Sequence, residues 1–158
     1  MSYEKKVKVI NMMEEIYNIR FTDEQIDVLL GDLSVEIERQ KGKTFIIACK
    51  AILESIVATK PIKIKIYVKT KNDLKNMRDY IRVLANKMNI EYTCNKEDSI
   101  TILNGSITII IIQGNRLFGS FTCDYLLIDD ITNARFLVDR TENINTIKIE
   151  VINKDGIK

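Results

Sequence analysis

Two short stretches have residue types that could do chemistry together: Arg39-Gln40-Lys41-Gly42-Lys43-Thr44, and the twin acids Asp129-Asp130 that close the apolar run Leu126-Leu127-Ile128. A Gly-Lys-Thr tripeptide opening a helix can present backbone N–H groups, an ammonium and a hydroxyl to polyphosphate oxygens. An acidic pair at the carboxyl end of a buried strand can hold a hard divalent cation and orient a water molecule. These are the two halves of a nucleoside triphosphatase site, with ATP and magnesium as the expected ligands. In such a site Lys43 neutralises the β and γ phosphates and Thr44 offers its hydroxyl to magnesium. Asp129 holds the metal's water shell, and Asp130 orients the attacking water. Two plainer readings stand beside this one: Gly42-Lys43 as an exposed turn with a solvated lysine, and Asp129-Asp130 as a polar strand end that caps a helix.

The site needs a strand, a glycine turn and a helix in that order, and the sequence offers them. Residues 33–37, Leu-Ser-Val-Glu-Ile, alternate as a strand leading into the glycine turn. From Thr44 to about Thr59 the apolar residues Phe45, Ile46, Ala48, Cys49, Ile52, Leu53 and Ile56 predict a deeply buried helix, closed by Lys60-Pro61. Upstream, Val9, Met12, Met13, Ile16 and Tyr17 lie at helical spacing. Thr22 followed by Gln25 reads as a capping box opening a second helix that runs to about Leu30.

Downstream, residues 62–68 alternate isoleucine and lysine as a strand with one buried and one wet face. Residues 72–88 are amphipathic, with Leu74, Met77, Tyr80, Ile81, Leu84 and Met88 inward. Residues 90–93, 99–103, 107–112, 125–128 and 147–152 read as strands, and Asn104-Gly105 as a hairpin turn. The predicted architecture is a three-layer α/β domain, with a largely parallel central sheet and helices on both faces.

Composition sets the outer bounds. A chain of 158 residues is expected to form one domain, 1–158, and its 46% hydrophobic content suits a core built without disulfides. Cys49, Cys94 and Cys123 lack ligand spacing, which argues against a zinc site and fits a reducing compartment. There is no histidine, so histidine acid/base chemistry and ligation are excluded. The charged amino terminus and the short apolar runs predict neither a signal peptide nor a membrane span, hence a protein that is not secreted. A net charge of +2 is too small to point to nucleic acid. Lysines between Lys60 and Lys75 form a local basic strip, which reads either as a DNA or RNA contact or as the solvated face of a strand.

Arg39-Gln40-Lys41-Gly42-Lys43-Thr44 resembles the deviant phosphate loop, Arg-Gln-x-Gly-Lys-Ser/Thr, of the large terminase subunits that pump DNA into viral capsids. Phe21-Thr22-Asp23-Glu24-Gln25 resembles that family's glutamine motif. Asn104-Gly105-Ser106, Arg116, Gly119, Asp124 and the Asp129 strand follow the order of terminase ATPase domains. The resemblance spans about residues 20–130, the front part of a terminase, and lacks the nuclease domain. It implies that Gln25 reads adenine, where the plain reading is a capping partner for Thr22. It makes Arg39 a phosphate contact and Arg116 an arginine offered to a neighbouring subunit's ATP, where the plain reading is a surface arginine.

Two departures from the family pattern bear on activity. Glu38 stands where a small residue is expected, and its charge opposes ATP unless it is paired or turned away. Asp130 replaces a glutamate and is one methylene shorter.

Two function classes follow. One is a packaging-type ATPase acting in a homo-oligomeric ring or with viral assembly proteins, with DNA as a candidate partner, in the host cytoplasm or the virion. The other is a catalytically degenerate relative with a structural or regulatory role in a viral assembly.

Overall fold

The computed structural model describes residues 3–31, 43–96, 98–111, 123–128 and 147–150. The predicted strand at 33–37 lies outside them. Helix α1 (Tyr3–Tyr17) buries Lys6, Val9, Ile10 and Met13. Met12 and Ile16, which share the predicted helical spacing, face out at 49% and 37% exposure. They form an i, i+4 pair on a stripe next to the one through Lys6, Val9, Ile10 and Met13, and a helix of this length buries one stripe. Asn18, in the left-handed region at φ 55, ends the helix.

Helix α2 (Asp23–Leu30) opens with the predicted capping box: Thr22 Oγ1 accepts from Gln25 N at 3.2 Å, and Gln25 Oε1 accepts from Thr22 N at 2.9 Å. Helix α3 (Lys43–Val57) is the hub. Ile46, Ile47, Ala48, Cys49, Ala51, Ile52 and Leu53 are all essentially inaccessible, as befits a predominantly apolar helix. Helix α4 (Lys71–Lys87) opens with a second capping box, Thr70 with Asp73. It buries Leu74, Met77, Ile81, Leu84 and Ala85, while Tyr80, expected inward, is 44% exposed and Met88 only partly covered.

The sheet order is β2-β3-β4-β1-β5-β6. Strand β1 (Ile62–Val68) lies inside it, parallel to β4 (Gly105–Ile111) on one side and β5 (Tyr125–Ile128) on the other; β6 (Ile147–Glu150) continues the parallel part. Strands β2 (Tyr92–Lys96) and β3 (Ser99–Ile102) add an antiparallel meander, so the sheet is mixed. Strand β2 starts later than the predicted 90–93, because Ile90 N is taken by Ala85 O in the turn that closes α4.

Ile64, Ile66, Ile107 and Ile109 point to the helices, with Ile100 and Ile102 beside them in the core. Lys63 on the opposite face of β1 is exposed, although Tyr67 on that face is buried. Among the described residues the other three helices pack around α3, and α3 and α4 both meet the sheet.

The predicted hairpin turn is present one residue earlier. Leu103 and Asn104 make the turn, Leu103 at φ 49, and Gly105 already pairs with Ile102 as the first residue of β4.

Candidate functional site at the first turn of the central helix

The direction of α3 is fixed at two levels. Near its end, Ser55 sits so close over Gly105 that a Cβ on the glycine would lie 1.9 Å from Ser55 Oγ. Further up, Lys50 Nζ lies 5.6 Å from the centre of the Tyr125 ring, and Tyr125 is in register with Ile64. The helix therefore runs against the parallel strands. From Ser55 back to Lys43 the helical rise covers about 18 Å. From Gly105 to Ile111 the strand covers about 20 Å.

The first turn of α3, holding Lys43 and Thr44, thus stands level with the carboxyl ends of β1 and β4. Strand β5 ends its described part at Ile128, paired with Tyr67, at the same edge. This is the edge at which open parallel sheets bind ligands. Thr44 is half-buried. Asp129 and Asp130 continue directly from Ile128 in sequence but lie outside the described residues, as do Glu38, Arg39, Gln40, Gly42 and Arg116.

Gln25 is held in the capping box and is half-buried. Phe21, just before that box, stacks on Phe45 with ring centroids 6.2 Å apart, and Phe45 also meets Tyr17 at 6.1 Å and Tyr80 at 6.4 Å edge-on. Phe45 directly follows Thr44, so this ring cluster ties the α2 cap and α4 to the first turn of α3.

Several residues of the terminase-like order have fold duties. Asn104 Nδ2 donates to Ala58 O at 2.8 Å and Asn104 O accepts from Ile62 N at 2.8 Å, joining the end of α3 to the start of β1. Asp124 Oδ2 accepts from Lys63 N at 2.7 Å, and Asp124 N donates to Lys63 O at 2.8 Å, which sets β5 against β1.

A buried charge cluster was not anticipated. Lys50 Nζ and Lys6 Nζ both meet Glu54 Oε2, at 2.5 and 3.0 Å, and none of the three residues is more than 6% exposed. The sequence carried a signal for it: Lys50 and Glu54 stand an i, i+4 step apart inside an otherwise apolar helix.

A cavity of about 740 Å³ lined by Asn86, Asn89, Glu91, Tyr92, Thr93 and Thr101 lies elsewhere. Tyr92 pairs with Ile102, which pairs with Gly105, so this cavity is at the amino ends of β1 and β4, away from the first turn of α3. Burial holds the Cys49 thiol and the Tyr17 phenol in their neutral forms. The described residues contain no cluster of three or more metal-ligating side chains. No helix among them is long and apolar enough to cross a membrane.

Solved structures share this fold. The large-terminase ATPase domain of Thermus phage P74-26 superposes with a TM-score of 0.63 at 12% identity, over 92% of this chain and 69% of that one. In fold, the chain resembles the ATPase domain of phage large terminases. The large terminase of a thermophilic bacteriophage in complex with ADP matches at a TM-score of 0.62 and 12% identity, and that of bacteriophage HK97 at 0.60 and 14%. The match covers 85% of this chain in both cases, but 39% of the former protein and 33% of the latter. The chain therefore spans well under half the length of those large terminases. No family model and no curated protein sequence matches it.

Proposed function

We propose that the chain is a terminase-like P-loop ATPase module that binds ATP with magnesium at the first turn of α3 and serves viral DNA packaging. The observation that carries this reading is the level of that turn with the carboxyl ends of β1, β4 and β5, in a chain whose fold resembles terminase ATPase domains. The finer architecture on this reading is a three-layer P-loop domain, with a largely parallel central sheet and helices on both faces. Backbone N–H groups around Gly42, with Arg39, Gln40 and Lys43, hold the phosphates, and Gln25 reads adenine.

Thr44 and Asp129 are hard oxygen donors, a set that suits magnesium better than a softer metal. Bound magnesium would offset the charge of the β and γ phosphates. Asp130 orients the attacking water, and Arg116 reaches the ATP of a neighbouring copy in a ring. Glu38 and the short reach of Asp130 both oppose fast turnover by an isolated copy. They also favour a second reading: a degenerate relative that binds nucleotide without hydrolysing it and acts structurally or as a regulator in a viral assembly. On either reading the protein works in the host cytoplasm or the virion.

Titration with a fluorescent ATP analogue, with and without magnesium, tests the reading. Saturable binding is expected for the parent protein and a loss of about tenfold or more for Lys43→Ala, since a charge-assisted phosphate contact disappears. A parent that does not bind removes both nucleotide readings. Tight binding with no phosphate release, even with DNA added, selects the degenerate one.

A further inference from the structure

Helix α4 carries a second pattern besides its apolar stripe. Lys71, Lys75, Arg78 and Arg82 follow steps of four, three and four residues, which puts them on one flank of the helix. Lys71, Lys75 and Arg82 are exposed and Arg78 is half-buried. Tyr80 is on the other flank, where its ring meets Phe45 of α3. The basic flank faces β2 instead, and contacts at both ends fix this. At one end Lys71 and Lys96 line the same cavity of about 290 Å³, together with Leu74 and Ile111. At the other end Arg82 Nε and Asn86 Nδ2 donate to Tyr92 Oη at 3.5 and 3.4 Å. Helix α4 and strand β2 thus border a groove about 22 Å long, from Lys71 to Asn86.

Lys71 is the first residue of α4, where the helix dipole is positive and a cation is unfavourable. Lys75 stands one i, i+4 step from it, a like-charge pair that also opposes the helix. Neither placement helps the fold, and a polyanionic partner offsets both costs. Asp79 approaches Arg78 Nε at 3.5 Å and Arg82 Nη1 at 3.9 Å, pairs open to solvent and of little strength. Glu91 lines the cavity at the Tyr92 end and Asp98 the one at the Lys96 end. Five cations, Lys71, Lys75, Arg78, Arg82 and Lys96, thus face three acids, and the groove is net positive.

The Tyr92 end opens into the cavity of about 740 Å³, where Asn86, Asn89, Thr93 and Thr101 supply amides and hydroxyls that both donate and accept. A row of cations that ends at an aromatic ring and a polar cavity of ligand size suits a phosphodiester strand with an unpaired base. A duplex keeps its bases stacked and paired, and an acidic peptide uses the cations but brings no base to the ring. We propose that the groove between α4 and β2 binds single-stranded nucleic acid: Lys71, Lys75, Arg82 and Lys96 hold phosphates, and an unpaired base enters the cavity beside Tyr92. The groove lies on the far side of α4 from the first turn of α3, so the inference stands apart from the nucleotide reading.

The test is fluorescence anisotropy of the full chain with labelled single strands of DNA and of RNA of about 12 nucleotides, the matching duplex and a poly-glutamate peptide, over a series of salt concentrations. Salt-dependent binding is expected for a single strand, tighter than for the duplex or the peptide, and the tighter of the two strands names the sugar. Lys71→Gln, Lys75→Gln and Lys96→Gln combined are expected to weaken it about tenfold or more and to flatten the slope of log K against log salt by about 2. These side chains are exposed, so the variant is expected to fold. Lys5→Gln, Lys8→Gln and Lys60→Gln combined remove the same charge from exposed positions elsewhere and are expected to leave affinity within about twofold of the parent's. Tyr92→Leu is expected to weaken binding several-fold with the slope unchanged, while Tyr92→Phe, which keeps the ring, binds as the parent does. Equal loss in the two triple variants, duplex or poly-glutamate binding as tight as that of the single strand, or no binding at low salt overturns the proposal.

Discussion

A methyl group on Gly105 would collide with Ser55, whose Oγ would lie 1.9 Å away, Cβ 2.5 Å and Cα 3.1 Å. Rotating the hydroxyl away does not help, because Cβ is fixed to the helix backbone. Gly105→Ala is therefore expected to cost about 1–3 kcal/mol, the usual range for overpacking, seen as a lower denaturant midpoint. Adding Ser55→Gly removes the two nearest atoms, so the double variant should recover part of that loss, despite the helix penalty of a new glycine. Strictly additive costs would show that β4 can shift away from α3 and that the contact does not set their spacing. The glycine at this position was visible in the sequence as a turn residue. Its reason was not, because the turn occupies Leu103 and Asn104 while the glycine serves a contact with a helix about fifty residues upstream.

Helices α2 and α4 each open with a reciprocal cap, Thr22 with Gln25 and Thr70 with Asp73. Thr22→Ala and Thr70→Ala are each expected to lower stability by about 1 kcal/mol, measured by thermal or chemical unfolding. Gln25→Glu separates the two readings of that residue. A glutamate keeps the accepting oxygen of the cap, so stability should hold, but it lacks the amide donor, so ATP affinity should fall on the proposed reading. Unchanged affinity would leave Gln25 with its capping duty alone.

Local signals of this kind made most elements legible. The capping box, the apolar run of α3 and the alternation of β1 each depend on near neighbours in sequence. The inward face of α1 was less legible, because Val9 and Met13 sit beside a competing stripe of Met12 and Ile16, and the packing against α2, α3 and α4 chooses between them. The carboxylate side of the candidate site was read from order and spacing, and Asp129 and Asp130 lie outside the described residues. The Lys6-Glu54-Lys50 cluster joins α1 to α3 through charges that an apolar-period reading passes over.

At the scale of the whole molecule, the buried core sets an alkaline limit. Tyr67 is essentially inaccessible, and burial raises its phenol from 10.0 to about 12. A raised folded value means that between about pH 10 and 12 the unfolded chain has given up a proton that the folded chain still holds. The stabilisation is complete below pH 10 and drains away as pH climbs through that window. Tyr17 and Cys49 are shifted in the same direction by burial and contribute with the same sign. Tyr67→Phe should therefore flatten part of the alkaline loss in a series of urea titrations, and an unaltered slope would mean that this phenol does not ionise on unfolding.

The sheet also has an outer border at β2, where Thr93 to Lys96 are exposed and the pairing with β3 slips between Cys94 and Lys96. A broken, lysine-ended ribbon of this length gives a stray strand from another chain no continuous row of donors and acceptors to zip onto. That border consequently resists sideways growth into fibrils.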